Sequence, residues 1–472
     1  MTFAQYAAQS VADARVLVEL DIGVPNTQWI CHGAGIWVVD SNNLYDWVDS
    51  SLLDGFTAQN FAGIGSMHVD GAQQTRTTSM LALVAATEAF YYDASTEKLW
   101  IHLINHDEPS LHTIWIGVIY GYSFDEFTPM GGGQLYEGRL MGAPSISSRR
   151  DPLYFGRISF GGGTITLANG DGEFDTWAED NDIYGNEARI YLGYADLDVT
   201  EYQRLYTGYI ENVVVSEEIM DMAIADRRKQ LTAPITYACT SLNALDAIVE
   251  VLTTAYNVTY DATYFDTTAW DAAQASVETV TINYQEPAPV IDVIEGICAS
   301  VFGVFFITGD NRFSFRRVVT TGSSETTIAA VDVLTQHRIQ YDPTEVISSA
   351  RIGYSRDWAT SGTQYSYVTN TTYEASVYNT YKTYNQRTFD TWLDTVTAAT
   401  AFGETIMLYS KDVHGMLEEQ LPMRYYEREV GELVDAELNR AQRAMLGTVQ
   451  SEILEVRYDL AGPTMTLGQR IV

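Results

Sequence analysis

DPLYFGRISFGGGTITLANGDGEFDTW (residues 151–177) and EARIYLGYADLDVTEYQRLYTGYIENVVVSEEIMDMAIADRRK (residues 187–229) are the stretches that determine the fold of this 472-residue chain. Residues 164–167 alternate polar and apolar side chains, as a strand with one buried face requires. Residues 169–172 read Asn-Gly-Asp-Gly, which tolerates the positive φ angles of a tight turn. Further strands are predicted over residues 153–158, 188–194, 205–210, 212–216 and 219–225. Short strands at near-regular spacing predict a small antiparallel barrel or sandwich.

The composition describes a large, folded and strongly acidic protein. Hydrophobic residues make up 46% of the chain, and its length predicts roughly three or four domains. With 62 acidic against 27 basic residues the net charge is -35, which argues against a protein that binds the phosphate backbone of nucleic acid. The acidity either keeps the chain soluble or suits a surface that nucleic acid passes without sticking.

We expect neither secretion, nor membrane insertion, nor a disulfide framework. Cys31, Cys239 and Cys298 lie far apart, so neither disulfides nor a structural zinc site is predicted. The first residues lack a basic segment followed by an apolar one, and no segment approaches the ~20 consecutive apolar residues that span a bilayer. Synthesis in the cytoplasm is therefore expected, with any later location set by assembly.

Residues 1–145 are predicted to be mostly β. We expect strands over 15–22 and 112–122, a strand pair within 29–40, a hairpin of 89–93 with 98–104, and a helix over 1–14. His102, His106 and His112 lie close together here, with Asp107 and Glu108 nearby. A metal site is one interpretation. Because hairpin spacing does not ensure that ligands converge, we favour polar strand ends and loop residues.

The rest of the sequence predicts no catalytic, metal or cofactor site. Asn169, Asp171, Glu173 and Asp175 alternate oxygen-bearing side chains, but their spacing does not match a calcium loop and suits a turn. The glycine runs at 130–133 and 161–163 neither precede Lys-Ser/Thr nor open a helix, so they are not phosphate loops. Residues 411–414 follow a predicted helix without an evident catalytic partner.

Residues 142–150 are small, polar and basic, and we interpret them as a linker into the barrel. Arg149 and Arg150, at its end, are expected to be solvated. Beyond the barrel, residues 240–319 predict an α+β segment. It has helices over 242–255, with Ser241 as N-cap, and 289–302, a strand over 279–284, and a hairpin of 304–308 with 312–316.

The C-terminal part returns to the strand pattern. Residues 346–356 predict a strand, and 360–388 predict a polar strand and loop excursion. A helix is expected over 391–410, with Asp390 as its cap. The chain then predicts strands over 421–426 and 430–434, followed by a closing hairpin of 452–460 with 464–467.

These features together resemble the tail hub proteins of long-tailed bacteriophages, over about residues 145–472. The resemblance rests on the order of a G-x-I-x-F strand, a T-I-T-L-x-N-x-D-G hairpin, an A-R-I-Y-L-G strand and L-Y-x-G-Y-I-E-N. It continues with G-V-F-F before D-N-R-F-x-F, and V-G-x-x-V before I-L-x-V-x-Y-D-L. It implies a mainly β, multidomain chain: an N-terminal β-rich domain (1–145), a first tube-like antiparallel β-barrel (146–235), a smaller α+β middle domain (236–342), and a second tube-like barrel with a helical and loop insertion (343–472).

The resemblance also implies a structural role in the virion, without enzymatic activity. In the family, three subunits form a ring of six barrels, so that a threefold spike sits on a sixfold tail tube while DNA passes through the lumen. The implied partners are further copies of the chain in a homotrimer, the distal tail or tail tube protein, the tape measure protein, tail spike or fibre proteins, and DNA that passes without specific binding. The host cell surface is a further candidate. Within this hypothesis we expect acidic side chains to face the lumen.

Two other hypotheses stay open at this point. The Tyr- and Trp-rich N-terminal region suits a tail-tip protein that binds sugar or protein on the host surface, although such residues are also common in strands. A β-rich carbohydrate-active hydrolase is the second alternative. Neither a G-x-S-x-G nor an H-E-x-x-H motif is present, and acids are too abundant for any carboxylate pair to be informative.

Overall fold

The structure is a computed structural model that describes part of the chain in detail. It covers residues 14–23, 37–39, 45–47, 61–69, 72–73, 75–76, 89–93, 98–102, 114–130, 136–142, 145–150, 161–175, 177, 183–318, 322–335, 338–358, 364–440, 445–460 and 464–472. The chain forms two compact units: unit 1 comprises 1–144 and 163–225, and unit 2 comprises 145–162 and 226–472. Both are mainly antiparallel β. The finer division into four domains remains a prediction.

Unit 1 contains one main antiparallel sheet and one smaller sheet. The strands of its main sheet are β1 (Ala14–Gly23), β4 (Phe61–Val69), β5 (Ala72–Gln73), β9 (Ile114–Tyr122), β10 (Leu140–Gly142), β12 (Gly162–Ala168), β13 (Glu187–Tyr194), β14 (Gln203–Val215) and β15 (Ile219–Ala225). Their order is β12-β15-β14-β13-β1-β9-β4-β5, with β10 on β12. The smaller sheet contains β2 (Trp37–Val39), β3 (Tyr45–Trp47), β6 (Thr75–Arg76), β7 (Ala89–Asp93) and β8 (Lys98–His102).

Several strands of unit 1 could be predicted from the sequence because one face of the strand is buried, as along β12, β13 and β15. The predicted hairpin of 89–93 with 98–104 is confirmed as β7 and β8, and the strand over 219–225 is β15. The predicted strands 205–210 and 212–216 are instead one strand, β14. Its pairing with β15 shifts register between Ile210 and Asn212, so a bulge at Glu211 resets the alternation that had suggested a break. The predicted strand 153–158 and most of the predicted helix 1–14 lie outside the described residues.

Unit 2 begins its α+β segment with β16 (Pro234–Asn243), α1 (Ala244–Tyr256), α2 (Thr267–Gln274), β17 (Thr279–Pro289), α3 (Val290–Ser300), β18 (Gly303–Ile307) and β19 (Phe313–Arg317). Strand β16 pairs with β17, and β18 with β19. The predicted helices are confirmed, but the N-cap of α1 is wrong. Asn243 Oδ1 accepts the Leu245 N–H at 3.0 Å, whereas Ser241 lies inside β16 with φ 48°.

An aromatic cluster forms the centre of this segment. Trp270 of α2 is 1% exposed. Its ring centroid lies 5.0 Å from that of Phe265, 6.3 Å from that of Phe315 and 6.4 Å from that of Phe305. These rings meet edge to face, the arrangement that aromatic quadrupoles favour. The predicted 304–308/312–316 hairpin therefore packs its apolar face on α2.

The remaining strands of unit 2 form a second antiparallel sheet and a small one. The elements are β11 (Ser145–Arg149), β20 (Thr326–Ile328), β21 (Arg338–Tyr341), β22 (Ser349–Asp357), β23 (Gln364–Asn370), α4 (Glu374–Tyr381), β24 (Gln386–Asp390), α5 (Val396–Ser410), β25 (Gly415–Pro422), β26 (Leu433–Arg440), β27 (Met445–Asp459) and β28 (Thr464–Ile471). The larger sheet has the order β21-β25-β28-β27-β11, with β26 on β27 and β20 on β26. The small sheet has the order β23-β22-β24, and α5 packs on β22 and β23.

Three predictions about this part are wrong. The predicted strand over 421–426 is wrong, because β25 ends at Pro422 and Met423–Tyr425 form a 3-10 helix. Helix α5 begins at Val396 and is capped by Thr395, whose Oγ1 accepts the Ala398 N–H at 3.2 Å. Asp390 is instead the last residue of β24, which runs parallel to β22. Residues 142–150 are not a linker throughout, because Ser145–Arg149 pairs along β27 as β11. Ile146 is buried between exposed and half-buried neighbours, which is the alternation of a strand.

Arg316 ties the α+β segment to the turn before β26. Its Nη1 donates to the Val430 carbonyl at 3.0 Å, and its Nη2 lies 3.2 Å from Glu429 Oε2 and 3.3 Å from Glu432 Oε1. Gly431 has φ 87°, which a residue with a side chain rarely adopts. Burial raises the pKa of Glu429 to about 7, with Arg316 opposing the rise and Glu432 adding to it.

The raised pKa of Glu429 predicts a pH-dependent stability. The folded protein holds a proton on Glu429 more tightly than the unfolded chain, so the free energy of unfolding falls as the pH rises from about 4.5 to about 7. Because the carboxylate is partly exposed, we expect a change of about 1 kcal/mol. Urea denaturation of the wild type and Glu429→Gln at pH 5 and pH 8 measures it. Glu427→Gln, at an exposed neighbour, is the control, and an unchanged pH dependence in Glu429→Gln would contradict the assignment.

Among the described residues, none of the helices has the length and apolar character needed to cross a membrane.

Candidate functional site

The polar face of the larger unit 2 sheet carries a row of charged residues. Strand register aligns them across neighbouring strands, since Arg338 faces Glu418, Glu418 faces Gly468, and Gly468 faces Glu455. Arg149 of β11 completes the row opposite Glu455. Because side chains at alternate positions share a face, the next row of β27 and β28 pairs Arg457 with Thr466. The row therefore alternates arginine and glutamate around a central glycine.

Two open cavities of about 350 Å³ and 640 Å³ lie over this face and share four of their lining residues, namely Arg338, Glu418, Arg457 and Thr466. We call the combined depression the edge groove, because β21 is the terminal strand of its sheet. Arg457 Nη2 lies 3.5 Å from Glu418 Oε1 and Arg149 Nε lies 4.0 Å from Glu455 Oε2. All four side chains of these pairs are partly exposed, so each pair contributes little to stability.

The edge groove differs in charge from the rest of the chain. Four arginines line its two cavities, in a protein with 27 basic and 62 acidic residues. The acids that line the cavities are Glu418, Glu455 and Asp459. Because Arg150 is buried and paired with Glu452, the three other arginines balance the three acids, and the groove is close to neutral on a strongly acidic protein. Such a site repels an acidic protein segment less than the rest of this strongly acidic chain does.

A buried charge network lies beneath the groove. Arg150 and Glu452 are fully buried, and Arg150 Nη2 donates to Glu452 Oε1 at 2.5 Å and to the Tyr409 hydroxyl at 2.7 Å. The Tyr409 hydroxyl in turn donates to Glu452 Oε2 at 2.8 Å. The expectation that Arg150 is solvated is thus wrong, whereas Arg149 is 65% exposed as expected. Alternation along β11 turns one arginine outward, and the next residue turns inward.

Arg470 adds a second cation to the network. Its guanidinium stacks 3.4 Å from the centre of the Tyr409 ring, and Nη2 donates to the Tyr409 carbonyl. Burial, together with the neighbouring charge of Arg150, lowers the pKa of Arg470 to about 9. Its Nε and Nη1 have no hydrogen-bond partner within the described part of the chain. Cation–π stacking on Tyr409 is therefore the main compensation for its burial.

Arg139 neutralises the acidic turn at residues 169–175, and the sequence pattern did not predict this pairing. Arg139 lies 2.7 Å from Asp171 Oδ2 and 2.6 Å from Glu137 Oε2, and it also pairs with Glu173. The Arg139 hydrogen bond lowers the pKa of Asp171 to about 2. Asn169 is buried and accepts the Phe174 N–H at 2.8 Å, so turn geometry explains this run. Arg139 lies 32 residues upstream of Asp171, and no local motif links them.

The histidine positions do not assemble into a site in the described residues. His102 ends β8, whereas His106 and His112 lie outside the described residues. His414 Nδ1 lies 2.7 Å from the Ile471 carbonyl, so it is held by the chain end. Cys239 and Cys298 are free thiols. No group of three or more metal-type side chains converges in the part of the chain that the structure describes.

The comparison with known proteins gives matches only among solved structures. Neither a protein-family model nor a curated protein matches the sequence. A tail protein from Neisseria meningitidis MC58 matches with a TM-score of 0.46 and 10% identity, over 72% of this chain and 94% of that one. The 43 kDa tail protein of prophage MuSo2 from Shewanella oneidensis gives 0.44 and 13%, again over 72% and 94%. A prophage tail protein from Listeria monocytogenes EGD-e gives 0.42 and 12%, over 72% and 93%. At these low scores the similarity assigns neither a fold nor a function to this chain.

Proposed function

We propose that this protein is a structural component of a phage tail. In this proposal it is a trimeric tail or baseplate hub that joins a sixfold tail tube to a threefold tip and surrounds the DNA exit channel. The observation that supports the proposal is the arrangement of two antiparallel β modules along one chain. One is the β12–β15 module of unit 1 and the other is the β25–β28 module of unit 2, and the α+β segment of residues 234–317 separates them in sequence.

Two such modules per chain suit a ring with more positions than subunits. Three copies supply six modules, so a threefold assembly can present a sixfold surface. Strand β21 ends its sheet within the described residues, and its outer edge would expose unpaired backbone groups in an isolated subunit. Ring closure through neighbouring copies removes that exposure. The role requires shape and complementary surfaces, and it requires no catalytic group.

The proposed neighbours are the distal tail or tail tube protein, the tape measure protein and the tail spike or fibre proteins, and the mature location is the virion. DNA passes through the channel without specific binding, which suits the net charge of -35. Acidic side chains along the lumen would keep the phosphate backbone from adhering.

The proposal predicts a defined oligomer. We expect light scattering of the purified protein to give three times the mass of one chain, and negative-stain images to show a ring with sixfold features around a channel. Addition of the tail tube protein should yield end-on contacts between the ring and the tube. A compact monomer at every concentration tested, with and without the tube protein, would contradict the trimeric hub.

A further inference from the structure

We propose that the edge groove is a docking site for the acidic tip of the β14–β15 hairpin of a second copy of this chain. The inference rests on the proposed function, because it names the surfaces that would hold two copies together. Nothing in the ring model itself requires these side chains, since backbone pairing alone could close a ring. The exposed side chains of the groove and of the hairpin therefore support the inference.

One rim of the edge groove, formed by the segment that leads into β21, is apolar. The segment that leads into β21 exposes Val331 at 87% and Leu334 at 54%, and Thr335, which follows Leu334, lines the 640 Å³ cavity. Backbone contacts hold this segment in place, since the Leu334 N–H donates to the Gln420 carbonyl at 2.8 Å. Large apolar side chains exposed beside arginine and tyrosine are typical of protein interfaces. The rim is thus an ordered surface that gains free energy when another chain covers it.

Arg338 supplies the charge on this rim. It is exposed on β21, and it makes no ion pair in the described part of the chain. Arg457 lies in the same two cavities, with a single partly exposed partner in Glu418. A carboxylate that enters the groove would therefore meet one unpaired arginine and one weakly paired arginine. Arginine is well suited to this contact, because its planar group binds carboxylates in two-pronged geometry.

The β14–β15 hairpin carries the complementary features. Its outer half is exposed, with Val214 exposed at 56% and Val213 and Val215 half-buried. Glu217 and Glu218 form the exposed tip, and residues 205–226 contain no lysine or arginine. The tip is ordered, because Ser216 Oγ accepts the Ile219 N–H and the Asn169 N–H donates to the Glu218 carbonyl. A preformed hairpin loses little conformational entropy when it docks.

Charge favours this occupant over nucleic acid. The acids Glu418, Glu455 and Asp459 lie among the arginines, so a continuous line of phosphates would pass close to all three, whereas the hairpin tip brings only two carboxylates. A short acidic tip reaches Arg338 and Arg457 while its valines cover the apolar rim. Because the hairpin belongs to unit 1 and the groove to unit 2, head-to-tail contacts of this kind can repeat around a closed ring.

A charge-exchange experiment tests the proposal. Two variants are prepared in the full chain: Arg338→Glu with Arg457→Glu in the groove, and Glu217→Lys with Glu218→Lys in the hairpin. All four positions are exposed or partly exposed, and thermal melting verifies that each variant folds. Sedimentation velocity at 0.15 M salt should show self-association at least about tenfold weaker for each variant alone. An equimolar mixture of the two should regain association, because the native hairpin of one meets the native groove of the other, and the reversed pair remains complementary.

Arg312→Glu with Lys411→Glu changes the same number of charges outside the groove and should associate like the wild type. Wild-type association that neither variant weakens would overturn the docking site and leave the trimeric hub standing. A groove variant that fails to associate while the hairpin variant behaves normally would show that the groove binds a different surface of the second copy, which also overturns the inference. A wild type that stays monomeric with and without the tail tube protein would overturn both proposals.

Discussion

Arg150→Ala is expected to destabilise unit 2 by about 3–5 kcal/mol, because it leaves the buried Glu452 carboxylate without its cation. Both side chains are fully buried, and the Tyr409 hydroxyl alone would then hydrogen-bond Glu452. A loss of this size rivals the whole stability of many domains. Urea denaturation monitored by tryptophan fluorescence measures the free energy of unfolding.

The adjacent residue provides a matched control. Arg149 lies one position earlier in β11, is 65% exposed, and lies 4.0 Å from Glu455. Arg149→Ala should change the free energy of unfolding by no more than about 0.5 kcal/mol. The double variant Arg150→Met with Glu452→Met removes both charges together and should recover most of the loss. Equal losses for Arg149→Ala and Arg150→Ala would refute the buried pair.

Trp270→Ala is expected to destabilise the α+β segment by about 3–5 kcal/mol, since it removes a fully buried aromatic side chain and leaves a cavity. The ring contacts Phe265, Phe305 and Phe315, so the cavity would lie where α2 meets the β18–β19 hairpin. Trp270→Phe keeps part of the packing and should cost about half as much. Tyr384→Ala, at a tyrosine that is 66% exposed, should have little effect on unfolding in urea. A Trp270→Ala variant as stable as the wild type would contradict this core.

Much of the secondary structure could be predicted from the sequence, because buried faces impose a period on each element. Strand β15 and helices α1 and α3 follow this rule closely. The errors lie at element ends, where one side chain decides the boundary. Asn243 rather than Ser241 caps α1, and Thr395 rather than Asp390 caps α5. In both cases the predicted residue belongs to the preceding strand, and only strand pairing reveals that.

The candidate site could not be predicted from the sequence, because its residues come from distant strands. Arg149, Arg338 and Arg457 are far apart in the chain, and sheet order alone places them on one face. A partial signal exists, since Glu455-Val456-Arg457 alternates charged and apolar residues and indicates a polar face. What that polar face contacts could not be predicted from the sequence. The burial of Arg150 could not be predicted from neighbouring residues either, because its counter-ion Glu452 lies 302 positions away.

Strand β11 also affects how the protein reaches its folded state. Residues 145–162 belong to unit 2, although the chain on both sides of them belongs to unit 1. At a synthesis rate of about 5–20 residues per second, roughly 15–60 s pass between emergence of β11 and emergence of its partner β27. During that interval β11 has no β27 to pair with. A fragment that begins at residue 226 would lack β11 altogether, so β27 would lose this partner strand and Glu452 would lose its ion pair with Arg150. Supplying residues 145–162 as a separate peptide would then be a route to complementation.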